Sequence, residues 1–174
     1  MENAEKIFTK FEQEGFSYIQ QMVLKQQEEN IFLTFQHKTD CTNGFLSKDD
    51  KENYEKNVSF FSCVSGGVIV CGIDSSKNKD GINMAKEIQP ISDGKTFLTN
   101  LNGLFSKDIP AIQPDVKNIY IPFPKEKNKG FVITYVPGND YLLNLNNYYT
   151  KARDSCVMMM GQILLNGVLK NRKL

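Results

Sequence analysis

Tryptophan is absent, histidine occurs once, and neither sign of charge dominates: 21 Lys and Arg face 20 Asp and Glu across 174 residues. That balance excludes a histone-like or strongly basic sleeve for nucleic acid, because such binding scales with the number of phosphates neutralised. A local basic patch stays open. No apolar run approaches the ~20 residues that cross a bilayer; the longest, Val68 to Ile73, has Gly72 inside it. The first residues, Met1 to Lys6, lack the basic and apolar regions of a secretory signal. Cys41, Cys63, Cys71 and Cys156 form no Cys-x-x-Cys pair, and with His37 they make no convincing zinc site. They are expected as three small buried hydrophobes and one loop thiol of a reduced, cytoplasmic protein. The glycines form no phosphate-cradling loop followed by lysine, so an ATPase reading has no footing.

What is there fits an ordinary globule: 40% hydrophobic and 24% charged residues, enough for one domain over 1–174 with a helical segment at about 1–28. Ile7, Phe8 and Phe11 predict a first helix, interrupted at Gly15; Phe16, Ile19, Met22 and Val23 predict a second. Ile31 to Gln36 reads as a strand with Ile31, Leu33 and Phe35 on one face, Thr34 and Gln36 on the other. Ser47 predicts an N-cap, with Asp49 and Asp50 in the first turn and Tyr54, Val58 and Phe61 facing the core. The helix should end at Gly66-Gly67. Val68 to Ile73, β-branched and apolar on both faces, predicts a central strand. Asp74 ends it as a turn starter, and Ser75 to Gly81 form a polar loop. A helix carrying Phe97, Leu98, Leu101, Leu104 and Phe105 comes next. Val116 to Phe123 and Gly130 to Val136 predict an antiparallel hairpin. A short strand at 147–153 and a last helix at 162–169 complete an α+β fold: a mixed, largely antiparallel sheet with helices packed against it.

The order of these elements, with Glu28-Glu29, Leu33-Thr34-Phe35-Gln36, the run Ser59 to Asp74 around Gly66-Gly67 and Gly72-Ile73-Asp74, and Tyr148 to Met158, resembles the Schlafen-type AlbA domain. That family carries an acid, a Leu-Glu-Phe-Lys strand, a Gly-Gly-bracketed apolar strand ending in Gly-Val-Asp-Asp, and a late Tyr-x-x-Arg segment. The resemblance spans about residues 15–160. It implies a module that binds tRNA or rRNA and in some members cuts it through clustered acids. Those acids would fall at Glu29, position 34 and Asp74. Grouped carboxylates hold a hard divalent cation that polarises phosphate and activates water.

Here position 34 is Thr34, a neutral hydroxyl, and Gln36 stands for the usual lysine. Metal-dependent cleavage is therefore disfavoured. Asp40 or Glu28 could substitute only if their loop folded back. Glu29, at a helix-to-strand junction, reads most simply as solvated. Lys125, Lys127 and Lys129 on the hairpin could clamp phosphates, or simply keep the turn soluble. Tyr149, Lys151 and Arg153 would share one face of a strand, with Tyr148 beside them, mixing stacking rings and cations as nucleic-acid surfaces do. Met158 to Met160 reads as core filler, and His37 receives no catalytic role. The expectation is an RNA- or DNA-binding module without efficient nuclease activity, with no cofactor and no membrane partner. Two alternatives stay open. One is a protein-interaction regulator or inhibitor of a nuclease or defence complex. The other is a ribonuclease with a rebuilt acidic site, which would require Mg or Mn.

Overall fold

The computed structural model describes residues 3–63, 65–107 and 115–138. The expected elements at 147–153 and 162–169, and Met158 to Met160, lie outside them. Helix α1 (Ala4–Glu14) is capped by the Asn3 side chain, which accepts from Lys6 N at 2.9 Å. Gly15, at φ +55°, turns the chain into α2 (Phe16–Leu24), a backbone that costs glycine least. Strand β1 (Leu33–Gln36) leads to α3 (Lys48–Cys63), β2 (Gly66–Cys71), β3 (Ile73–Lys77), β4 (Asn83–Ile88) and β5 (Ile91–Ser92). Helix α4 (Gly94–Lys107) and the hairpin β6 (Lys117–Pro122) and β7 (Lys129–Pro137) complete the order.

The main sheet runs β1-β2-β7-β5, with β6 also paired to β7. Among the described strands only β1 and β2 pair in parallel; β7 is antiparallel to β2, β5 and β6. The α+β class with a largely antiparallel sheet is thus what the chain adopts. Alternation sorts the core into two layers. Leu33, Phe35, Val68, Val70, Phe131 and Ile133 pack with Ile7, Phe8, Phe11 and Ile19 of α1 and α2. Ile69, Cys71, Val132 and Val136 pack with Tyr54, Val58 and Phe61 of α3 and with Phe97 and Leu101 of α4. Strand β2 is buried on both faces, as its unbroken apolar run implies.

Several expectations change. Ile31 precedes β1 and is 56% exposed, because Asn30 turns the chain there: its side chain accepts from Phe32 N and its backbone pairs with Leu33. Helix α3 is described to Cys63, and both glycines belong to β2, the first of them in the expected left-handed backbone at φ +83°. The central strand ends at Cys71, since Gly72 (φ +109°) bends the chain with Phe131 packed where a Cβ would stand. The expected polar loop is shorter than read: Ser75 to Lys77 belong to β3 (Ile73–Lys77), which forms a separate two-stranded sheet with β4, and only 78–82 make the turn between them. Asp74 is accordingly a strand residue at a bulge, not a turn starter.

The N-terminus of α3 forms as the sequence implies. Ser47 Oγ accepts from Asp50 N at 3.1 Å and Asp50 Oδ2 accepts from Ser47 N at 3.2 Å. This is a reciprocal capping box with aspartate in the acidic position. Asp50 Oδ1 also accepts from Thr39 N and Thr39 Oγ1, at 2.8 and 2.9 Å. Burial alone would raise this carboxyl, but the hydrogen bonds from Thr39 and Ser47 outweigh it and hold it below the usual range. A depressed folded-state pKa stabilises the fold above the unfolded value, about 3.9, and that contribution vanishes as pH falls through the folded value. Thermal unfolding measured from neutral pH downward should therefore lose stability more steeply in the native chain than in Asp50→Asn, which starts less stable. Parallel curves below pH 4 would contradict this account.

Candidate functional site

After α2 the chain runs beside β4: Ala85 N donates to Gln27 O at 2.9 Å and Glu29 N to Asn83 O at 2.8 Å. That pairing sets Glu29 against the outer edge of β1. Its Oε1 accepts from Thr34 Oγ1 at 2.8 Å and from Phe35 N at 2.7 Å, and its Oε2 accepts from Asn83 Nδ2 at 2.9 Å. Glu29 is half-buried and engaged by three donors, so the expectation of a merely solvated side chain is overturned. It satisfies the outward N–H of an edge strand and ties that strand to β4. Thr34, where the resemblance implies a second acid, gives its proton to the first.

Asp74 lies at the other end of the small sheet. It pairs with Glu87, four residues along β4 from Asn83, about 13 Å at the rise of a strand. Its Oδ1 is 3.8 Å from His37 Nδ1 and its Oδ2 is 4.0 Å from Lys86 Nζ, long and partly solvated contacts of small energetic weight. The partners of Glu29 are thus different residues from those of Asp74. Among the described residues, no three His, Cys, Asp or Glu side chains come together as a cation would require. The substitutes are occupied too. Glu28 accepts from Asn78 Nδ2 at 2.7 Å. Asp40 accepts from Thr42 and Asn43, the Thr42 bonds foremost in holding its carboxyl below the usual range. Gln36, where the resemblance implies a lysine, is buried; its Nε2 donates to Asp50 O and its Oε1 accepts from Asn57 Nδ2, each at 3.1 Å.

Glu29, Thr34 and His37 line a cleft of about 510 Å³ between β1, α3 and β4. Its other wall is Asn53, Lys56 and Asn57 of α3, residues missed by a sequence reading that followed only the apolar face of that helix. The spacing 53, 56, 57 is itself the signal of one shared helix face. Lys125 and Lys127 stand exposed on the hairpin turn. Lys129 does not belong with them: it opens β7 and its Nζ is 2.6 Å from Glu126 Oε2. Tyr148, Tyr149, Lys151 and Arg153 lie outside the described residues. Cys71 is buried, which pushes its thiol up to about 12, so it is no nucleophile at neutral pH. Among the described residues, no helix is long and apolar enough to cross a membrane.

Comparison with protein-family models and with curated proteins gives no match. Among solved structures, the chain is similar to the N-terminal domain of a protein from Nitrosomonas europaea, described as related to the ATP-dependent DNA helicase RecG. The identity is 15%, the TM-score 0.44, and the match covers 87% of this chain and 82% of the other. A likeness at that level transfers no residue role.

Proposed function

We propose that this chain is a nucleic-acid-binding module of the Schlafen AlbA type that holds RNA or DNA without cutting it. The observation that carries the reading is the closed Glu29 clasp. Both of its oxygens already accept from neutral donors, and the neighbouring position that would add a second negative ligand is Thr34. A carboxylate so engaged is a poor metal ligand, since a cation would have to displace three hydrogen bonds in one half-buried place. The exposed Lys125 and Lys127, with Lys151 and Arg153 of the resemblance, supply the phosphate contacts.

The test is fluorescence anisotropy with labelled single- and double-stranded oligonucleotides across a salt series. Affinity should fall steeply between about 50 and 200 mM salt. The double variant Lys125→Ala/Lys127→Ala should flatten that dependence by about two in logarithmic slope. No binding at micromolar protein, or binding indifferent to salt, would defeat the reading. A protein-interaction module is the second reading, favoured by the exposure of Leu24 at 83% and Phe45 at 73%. A stoichiometric protein partner, purified with no nucleic acid, would support it instead.

A further inference from the structure

We propose that the cleft between β1, α3 and β4 receives one unpaired nucleobase, and that it prefers bases carrying an exocyclic amino group. The proposal rests on the nucleic-acid reading above and deepens it. The cleft, at about 510 Å³, is within the usual size of small-molecule sites. Its lining disfavours a phosphate: Glu29 sits in the wall, and Lys56 is the one lysine among the described residues that line it. Amides, a carboxylate and hydroxyls suit a flat neutral heterocycle, read through hydrogen bonds to its edge.

The direction of those hydrogen bonds follows from the network. Asp50 O can only accept, so Gln36 must present Nε2 to it and turn Oε1 toward Asn57. Asn57 must then give Nδ2 to Gln36, leaving its Oδ1 as an acceptor. Asn83 gives Nδ2 to the Glu29 carboxylate, leaving its own Oδ1 as an acceptor as well. The remaining capacity of Glu29 is likewise acceptor-only. Asn57 and Asn83 each keep a second Nδ2 hydrogen, but together with Glu29 their acceptor sites outnumber these donors, which calls for a ligand that gives more hydrogens than it takes. Cytosine, adenine and guanine carry an amino group whose two hydrogens can meet two acceptors at once; uracil and thymine offer one ring N–H on that edge, flanked by two carbonyl oxygens that these acceptors repel. Lys56, exposed at the rim of the cleft, is placed for the adjoining phosphate.

The experiment compares labelled oligocytidylate with oligouridylate of equal length, which share ring size and charge, by anisotropy on the full chain. Oligocytidylate should bind about tenfold more tightly, the discrimination of a good bidentate base contact. Lys56→Ala changes an exposed residue of α3 and Asn57→Ala a half-buried one, and a melting curve of each checks that it is folded. The Asn57 variant should bring the ratio toward one, and the Lys56 variant should weaken both oligomers. Lys125→Ala/Lys127→Ala should weaken both while preserving the ratio. Equal affinities, or uridylate preferred, with steep salt dependence intact would overturn the base cleft and leave nucleic-acid binding standing. Failure to bind either oligomer or any duplex would overturn both.

Discussion

Glu29→Ala should lower the unfolding free energy by about 2–3 kcal/mol, because half-buried donors left without an acceptor cost about 1–3 kcal/mol each. Three donors lose their partner at once: Thr34 Oγ1, Phe35 N and Asn83 Nδ2. The backbone donor matters most, since it cannot turn away. Glu29→Gln is the discriminating variant. Its carbonyl can still accept from Thr34 and Phe35, while Asn83 can flip its amide to receive the new NH₂, so a loss below about 1 kcal/mol is expected. A metal ligand would show the reverse sensitivity, with Gln nearly as damaging as Ala to any cation-dependent property. Urea unfolding of the three proteins, with and without manganese, reads both. An alanine variant as stable as the native chain would remove the clasp. A manganese-dependent gain in native stability, lost in the Gln variant, would restore the nuclease alternative.

Gly67→Ala should be strongly destabilising for a one-carbon change. A Cβ at Gly67 would stand 2.0 Å from Phe61 Cδ1 and 2.2 Å from its Cγ, inside the ring that α3 lays on β2. Phe61 is buried in the layer beneath α3 and α4 and has little room to withdraw. Overpacking of this kind costs about 3 kcal/mol, or about 6–12 °C in Tm for a chain of this size. Gly103→Ala supplies the contrast. It lies within α4, where a methyl group would meet no neighbour within 4 Å among the described residues, so the gain in helix propensity should add about 0.5–1 kcal/mol. Differential scanning calorimetry should place the two on opposite sides of the native Tm. Similar shifts would show that the glycine pair does not set how closely α3 approaches the sheet.

That contrast separates what one sequence can say from what it cannot. Gly66-Gly67 was legible as a break between helix and strand, by the company it keeps. The reason for the second glycine is an aromatic ring six residues earlier, brought over it by a helix reversing direction. The two-stranded sheet of β3 and β4 was illegible for a different cause. Asp74 to Lys77 and Asn83 to Ile88 are half-exposed ribbons with few apolar residues, so their pairing leaves no periodic trace. Lys38 gave no warning either: it is buried, its Nζ donates to the Asp40 carbonyl, and it lies 5.6 Å from the centroid of Phe97.

For the site, Glu29, Thr34 and Asp74 could be named from motif positions, and so could the neutral hydroxyl at Thr34 where the resemblance implies an acid. Their mutual geometry could not be named. Apolar periodicity, turn chemistry and the helix cap at Ser47 are local properties, written within a few residues, and they determined the helices, the doubly buried β2 and the hairpin. Where a carboxylate finds its donors depends on strands that meet only after folding. Asn83 reaches Glu29 from 54 residues away, and Tyr54 Oη meets Thr134 Oγ1 across 80. Hydrogen bonds act over about 3 Å, and no spacing in the chain encodes which distant partner will come within it.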